Sequence, residues 1–326
     1  MHRTPRLALF LCLGLLSLDA TIPTHAQTYP SRPIKIVVPF VPGGATDLIG
    51  RGLSEQMQIY FGQPVVVENK PGASTIIGTQ AVINSAPDGY TILESGSSTY
   101  TVVPALKPNL PYDPEKNLAL LGIVAKAPMV LVTTPGTSIK TVADLIAQAK
   151  AHPGEVTYSN YGAGSAPHLA SEMFALAAGV KLMPIPYKGS SPAMLAAMSG
   201  EINMAAETLA AALPQILAGK LHALAIISGE RTPLLPEVPT LAESGLPSAT
   251  FEGWYAVSAP VGTPAAIQQT LVDALTHIMA LPAFRAKLQA AGLEPVMIGP
   301  VPFAEKVKSE ISAYRAVAQQ ASITLE

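Results

Sequence analysis

The chain has 326 residues, with 20 Lys and Arg against 22 Asp and Glu, a formal net charge of −2, and only 13% charged and 6% aromatic residues beside 49% hydrophobic ones. Binding to a polyanion demands clustered Lys and Arg, so this composition excludes a nucleic-acid binder and a polybasic grip on a membrane surface. A single cysteine excludes a disulfide framework, and the length with this hydrophobic content suggests two domains, each with its own core.

In chain order, Arg3 and Arg6 precede an apolar stretch from Leu7 to Leu18, and Thr24-His25-Ala26 has the small residues of a cleavage site, so residues 1–26 read as a secretory signal. A membrane anchor is the alternative, but twelve helical residues rise about 18 Å against a hydrocarbon core of roughly 30 Å. Cleavage removes Arg3, Arg6 and Asp19, which takes the net charge from −2 to −3, and it also removes Cys12. The exported chain then has no thiol and no Cys-based metal site.

From Gln27 onward short apolar runs alternate with segments of helical periodicity. Ile34–Val38, Pro64–Glu68 and Tyr90–Leu93 read as strands around helices at Thr46–Tyr60 and Ser74–Ser85. A second set places strands at Met129–Thr133, Val156–Ser159, Lys181–Pro186 and Ile202–Ala205, with helices near Thr141–Ala151, Ser165–Ala178, Pro192–Ser199 and Leu209–Ala218. Leu221–Ile227 and Trp254–Ala259 are strands again, and helices close the chain at Pro264–Ala280, Pro282–Ala291 and Pro302–Gln319. This is α/β repetition with mainly parallel sheets covered on both faces. Leu118–Pro128 reads as a crossover from one sheet to the next and Leu221–Ser228 as the return. The expected organisation is one lobe from 27–127 plus 226–326 and an inserted lobe from 128–225, joined by two hinge segments.

Ligands of open α/β sheets bind beyond the carboxyl ends of the strands. The loops there are PFVPGGATD (39–47), SGSSTYT (95–101), NYGAGSAPH (160–168) and PYKGSSPA (186–193), each combining glycine with hydroxyl-bearing residues. A glycine turn entering a helix offers backbone N–H groups to an anion. Taken alone the first loop is also a plain turn, with Gly43 and Gly44 supplying backbone freedom and Thr46 or Asp47 the cap. Phosphate is disfavoured because no phosphate-loop or dinucleotide glycine pattern occurs, and a carboxylate needs fewer donors.

His168 suits a ligand donor, a base or a packed first-turn histidine; no metal-ligand spacing surrounds it. Lys188 can pair with a carboxylate or stand solvated beside its turn. Tyr161 and Tyr187 wall a cleft or belong to the core. Glu207 either caps a helix or faces the cleft, where it repels an anion or accepts from an amine. An exported hydrolase using Ser165, His168 and Glu172 is a rival, although no nucleophile elbow is present.

The stretches YPSRPIKIVVPFVPGGATD, GQPVVVENKPGA, APDGYTIL, LPYDP, YGAGSAPHLASEMF, PYKGSSPAML, LAGKLHALAIISGERTPLLPEVPTLAESGLP and APVGTPAAI, in this order and spacing, resemble the Bug-type solute-binding proteins of the tripartite tricarboxylate transporter system. The resemblance runs from Tyr29 nearly to the C-terminus. It implies a periplasmic, two-lobed, type II-like binding-protein fold that closes on its ligand, a monomer without cofactor or covalent chemistry, and membrane permease subunits as partners. A sensor partner is the alternative. It also implies a carboxylate held by main-chain amides, hydroxyls and ordered water. The implied contacts are Phe40 as an apolar wall, Gly43, Gly44, Ala45, Thr46 and Asp47 as donors and cap, Ser97, Ser98, Ser165 and His168, with Tyr187 and Lys188 from the opposite lobe. Where relatives resemble an Asp-rich pattern, this chain has Ile202-Asn203-Met204-Ala205-Ala206-Glu207-Thr208, which changes the expectation at the cleft.

Overall fold

The computed structural model describes residues 29–162 and 164–320. The expected signal at 1–26, with Cys12, lies outside the described residues.

β1 (Ile34–Val38), rich in β-branched residues and almost wholly buried, has the character of a central parallel strand. It leads through the glycine loop into α1 (Ala45–Phe61), which Gly62 ends in the left-handed conformation at φ 65°. β2 (Val65–Asn69), α2 (Ile76–Ile83) and β3 (Thr91–Gly96) follow. After β3 the chain makes a π-helical turn at Ser98–Val102 that runs into α3 (Val103–Leu106), then α4 (Pro114–Asn117). The sequence reading placed no helix here. Pro104 is accommodated just after the π-helical turn, where Val103 N–H donates back to the Ser98 carbonyl.

β4 (Leu118–Ala127) and β5 (Met129–Thr133) come next, and α5 (Val142–Ala151) begins with a reciprocal capping box between Thr141 and Asp144. β6 (Thr157–Asn160), α6 (Ala166–Ala178), β7 (Met183–Pro186), α7 (Ser190–Ser199), β8 (Met204–Thr208), α8 (Leu209–Leu217) and β9 (His222–Ile226) complete the middle of the chain. β10 (Gly253–Pro260), α9 (Ala265–Ala280), α10 (Pro282–Ala290), β11 (Glu294–Ile298) and α11 (Pro300–Gln320) end it.

These strands form two sheets, ordered β11-β4-β10-β3-β1-β2 and β7-β6-β8-β5-β9. Each is mixed. β1, β2 and β3 are parallel, as are β6, β7 and β8, but β10 runs antiparallel to β3 and β4, β11 to β4, and β5 to β8 and β9. β5 and β10 are the strands delivered directly from the other sheet, without a crossover helix, and each runs against its neighbours.

The outward crossing falls at Pro128, between β4 and β5, inside the expected segment. The return comes later than expected. After β9, residues 227–252 carry no strand, and Leu235, Leu241 and Phe251 pack into the cores of the second sheet. The two crossings lie side by side: Phe251 N–H donates to the Ile227 carbonyl (3.2 Å), Ile227 N–H to that of Met129 (2.7 Å), and Gly253 pairs with Ala127.

α11 spans both sheets. Its Phe303 closes an aromatic trio with Tyr100 and Trp254 at centroid distances of 5.3 and 5.4 Å, while Tyr314 joins Val102 and Leu106 in the core around Leu131, Tyr158 and Phe174. Lys306 on the same helix meets Glu310 at 2.8 Å and Glu252 at 3.4 Å, and Glu252 meets Lys126 at 3.0 Å, so the helix is tied to both crossings. A second close approach occurs at Gly292, between α10 and β11. There φ is +73°, and a Cβ would lie 2.6 Å from Ala210 Cα at the start of α8.

Candidate functional site

The four glycine-containing loops lie at the carboxyl ends of β1, β3, β6 and β7, as the strand order requires. In the first, Gly43 adopts φ 95°, a region that an L side chain disfavours, and its N–H donates to Asp47 Oδ2 at 3.0 Å. Asp47 is buried. Its Oδ2 also accepts from Arg51 Nε (2.9 Å), and its Oδ1 from Asn69 Nδ2 (3.0 Å), which in turn donates to the Phe40 carbonyl (3.1 Å). Burial pushes the Asp47 carboxyl up, but Arg51, Gly43 and Asn69 outweigh it and hold it below the usual carboxylate range. It is an anion that orders the loop.

This changes one expectation. The Gly43 amide is committed to Asp47 and is not a ligand donor here. The donors that remain follow it, in the first turn of α1. Gly44 is the N-cap in extended conformation (φ −87°, ψ 178°), so the N–H groups of Ala45, Thr46 and Asp47 have no intrahelical acceptor, and a Cβ on Gly44 would meet nothing within 4 Å. Phe40 is half-buried and packs against the core of the first sheet.

Ser97 is buried, with its carbonyl accepting from Thr101 Oγ1 (3.0 Å), and Ser98 is half-buried at the start of the π-helical turn. In the β6 loop most amides are turned inward: Tyr161 N–H donates to Ser165 Oγ (3.2 Å), Gly162 N–H to Asn160 Oδ1 (2.8 Å), and Gly164 N–H to His168 Nδ1 (3.2 Å). Burial lowers the His168 pKa, with Glu172 opposing, and because Nδ1 accepts from Gly164 the neutral ring carries its proton on Nε2. Its place is to order the loop. Glu172 accepts instead from the Tyr158 hydroxyl at 2.5 Å, so Ser165, His168 and Glu172 do not form a proton relay.

Tyr187 departs from expectation. Its ring packs beside the second sheet and its hydroxyl donates to Glu201 (2.8 Å), beyond the C-terminal end of α7, which takes it away from the loop mouths. Lys188 is exposed in the same loop. Glu207, at the end of β8, is 1% exposed and heavily bonded. It accepts from the Tyr161 hydroxyl, from Ser190 Oγ (2.9 Å) and from Thr208 N–H (2.8 Å). Burial raises its pKa against the pull of those donors.

Two residues that the sequence reading missed complete the mouth of the first sheet. Tyr255 on β10 lies across Gly96, where a Cβ would be 3.3 Å from its ring, close to Thr46, Glu94 and Glu207. Glu94 on β3 is fully buried, neither of its carboxyl oxygens has a hydrogen-bond partner, and burial with Asp47 nearby pushes its pKa well up. A lone acid inside the apolar strand TILESG was the available signal. A surface groove lined by Pro104, Tyr112, Glu115, Ile311, Arg315 and Gln319 holds none of these residues, and no metal-binding cluster occurs among the described residues.

The chain is similar in sequence and in fold to known proteins. A family model described as "Tripartite tricarboxylate transporter family receptor" matches residues 49–321. Protein BugT from Bordetella pertussis is 39% identical over 321 residues, covering 98% of each chain. The solved periplasmic binding protein BugD has a TM-score of 0.80 at 33% identity, covering 91% of this chain and 100% of its own. Rpa4515 from R. palustris, solved with adipate, has a TM-score of 0.83 at 31% identity over 91% and 99% of the two chains. MatC from Rhodopseudomonas palustris, solved with malate, has 0.80 at 29% over 89% and 99%.

Proposed function

The chain belongs to the tripartite tricarboxylate transporter receptor family, and from that premise we propose that it is an exported solute-binding protein that captures a small carboxylate-bearing ligand between two lobes and presents it to membrane permease subunits. The lobes are 29–127 with 253–320, and 129–251, hinged at the paired crossings. The signal at 1–26 directs the chain to the periplasm, where it acts as a monomer and leaves its ligand chemically unchanged. The observation that carries the reading is the open first turn of α1. The N–H groups of Ala45, Thr46 and Asp47 lack intrahelical acceptors beside two glycines at which a Cβ would meet nothing within 4 Å, and Tyr255 lies close to both Thr46 and Glu207. Helix N-termini attract anions through both their orphan donors and the helix dipole. Closure follows because a ligand touching both walls interacts with the closed state more than with the open one.

The test is a thermal-shift screen of three- to six-carbon carboxylates, confirmed by calorimetry. A ligand at a hundred times its Kd adds about 2.7 kcal/mol, which is a rise of several degrees. No shift with any carboxylate would overturn the assignment, as would chemical conversion of a bound one.

A further inference from the structure

The first sheet carries an acid that holding a carboxylate does not require. Glu94 on β3 is fully buried, and neither of its oxygens has a hydrogen-bond partner. Its register partner on β10 is Val257, and a Cβ on Gly50 of α1 would lie 3.6 Å from its Oε2 and 2.8 Å from Val38 Cγ2. The carboxyl therefore sits against the second turn of α1, among side chains that offer it no donor, one turn below the amides of Ala45, Thr46 and Asp47. Ionising it there would leave a charge with neither water nor a donor beside it, so Glu94 keeps its proton well above the ordinary carboxylate range.

The groups that face it do nothing to relieve this. Asp47 on α1 is held anionic by Arg51, Gly43 and Asn69, and its charge strengthens the hold of Glu94 on its proton. Arg51, the cation of α1, is bonded to Asp47 at 2.9 Å. Tyr255 on β10 and Tyr100 in the π-helical turn are the other titratable neighbours, and burial keeps both hydroxyls protonated. Glu207 lies beyond Tyr255 and is a different case, because the Tyr161 and Ser190 hydroxyls and the Thr208 N–H all donate to it and favour its charged form. Glu94 has no such donors.

We propose that Glu94 makes ligand capture proton-linked: a carboxylate arriving at the first turn of α1 is held more tightly when Glu94 carries its proton, and its binding draws a proton onto Glu94. The coupling rests on the carboxylate reading above and adds the regulation of that site. One turn of helix and one hydrogen bond separate the two groups, about 8–10 Å, and at an effective dielectric of about 20 the repulsion between their charges changes affinity on the order of tenfold. By reciprocity the bound anion raises the affinity of Glu94 for its proton by the same factor. The sign is fixed: the advantage to binding is fully present below the value at which Glu94 ionises in the free protein, and it is lost as pH rises through the higher value of the complex.

The test is calorimetry with the three- to six-carbon carboxylates from about pH 6, above the ordinary range of carboxylic acids, to about pH 10, each titration run in two buffers of different ionisation heat. The expected result is an affinity that falls on the order of tenfold across the range, with uptake of about half a proton per bound carboxylate where the fall is steepest. Glu94→Gln keeps the shape of the neutral acid without its titratable proton and abolishes both the fall and the uptake; Glu94→Leu does the same and covers the case in which the first variant folds poorly. Glu207→Gln retains both. An affinity that is flat with pH and without proton uptake would overturn this inference while leaving the proposed function standing, as would a fall that persists in both Glu94 variants or disappears in Glu207→Gln. Binding of no carboxylate at any pH would overturn both.

Discussion

Gly44→Val separates binding from folding. The backbone at residue 44 is extended, which any residue adopts, and the space beside it is empty, so the substitution introduces neither strain nor a clash. Replacing a glycine N-cap by an apolar residue costs up to about 1 kcal/mol, or a few degrees of melting temperature. The valine side chain nevertheless stands where the ligand approaches the amides of Ala45 and Thr46. Each hydrogen bond from an amide to a carboxylate contributes about 1.5–3 kcal/mol, so obstructing one weakens binding by about ten- to 150-fold. The contrast is Gly43→Ala, at φ +95°, which costs about 1–2 kcal/mol of stability and puts the amide bonded to Asp47 under strain. Isothermal titration with whichever carboxylate the screen identifies, paired with thermal melts, measures both effects. An affinity for Gly44→Val within about twofold of the parent would refute the reasoning, since a factor of two is less than about 0.5 kcal/mol and too small for even one lost amide contact.

Other outcomes follow from single residues. Asp47 has a depressed pKa, so its contribution to stability is present above its ordinary value of 3.8 and is lost as pH falls through the lower folded value. Asp47→Asn therefore flattens the acid limb of a denaturation series, and an unchanged limb would count against the loop clamp. Glu94 is the reverse case. Its raised pKa means that stability is fully present below about 4.5 and declines as pH rises toward the folded value. Glu94→Leu removes two unpartnered buried oxygens and should stabilise the unliganded protein by about 1–3 kcal/mol in urea unfolding at pH 8. His168→Ala deprives the Gly164 N–H of its acceptor, costs about 1–3 kcal/mol, and loosens the β6 loop, read as faster amide exchange at residues 161–165.

The parts of this fold that were legible in the sequence are those governed by local rules. β1 and β5 have the boundaries that β-branched runs indicate, and α5 begins where Thr141 and Asp144 say it should, because a capping box needs only four consecutive residues. The antiparallel strands of each sheet were not legible, since direction within a sheet is set by where the chain arrives and not by which residues compose the strand. β11 has no counterpart in the sequence reading; Pro295 interrupts its apolar run, and the strand pairs only at the sheet edge, where proline is tolerated. At the candidate site, loop positions followed from topology. The use of each amide did not: whether Gly43 serves a ligand or Asp47, and whether Tyr187 turns inward or toward Glu201, depends on side-chain geometry that spacing does not encode.

The contact between Gly292 and Ala210 leaves no room for a single methyl group, because the backbone before β11 lies directly on the start of α8. Under the two-lobed reading proposed above, Gly292→Ala would wedge those two stretches apart by about the width of a methyl group, so that one absent side chain governs how closely the halves can approach.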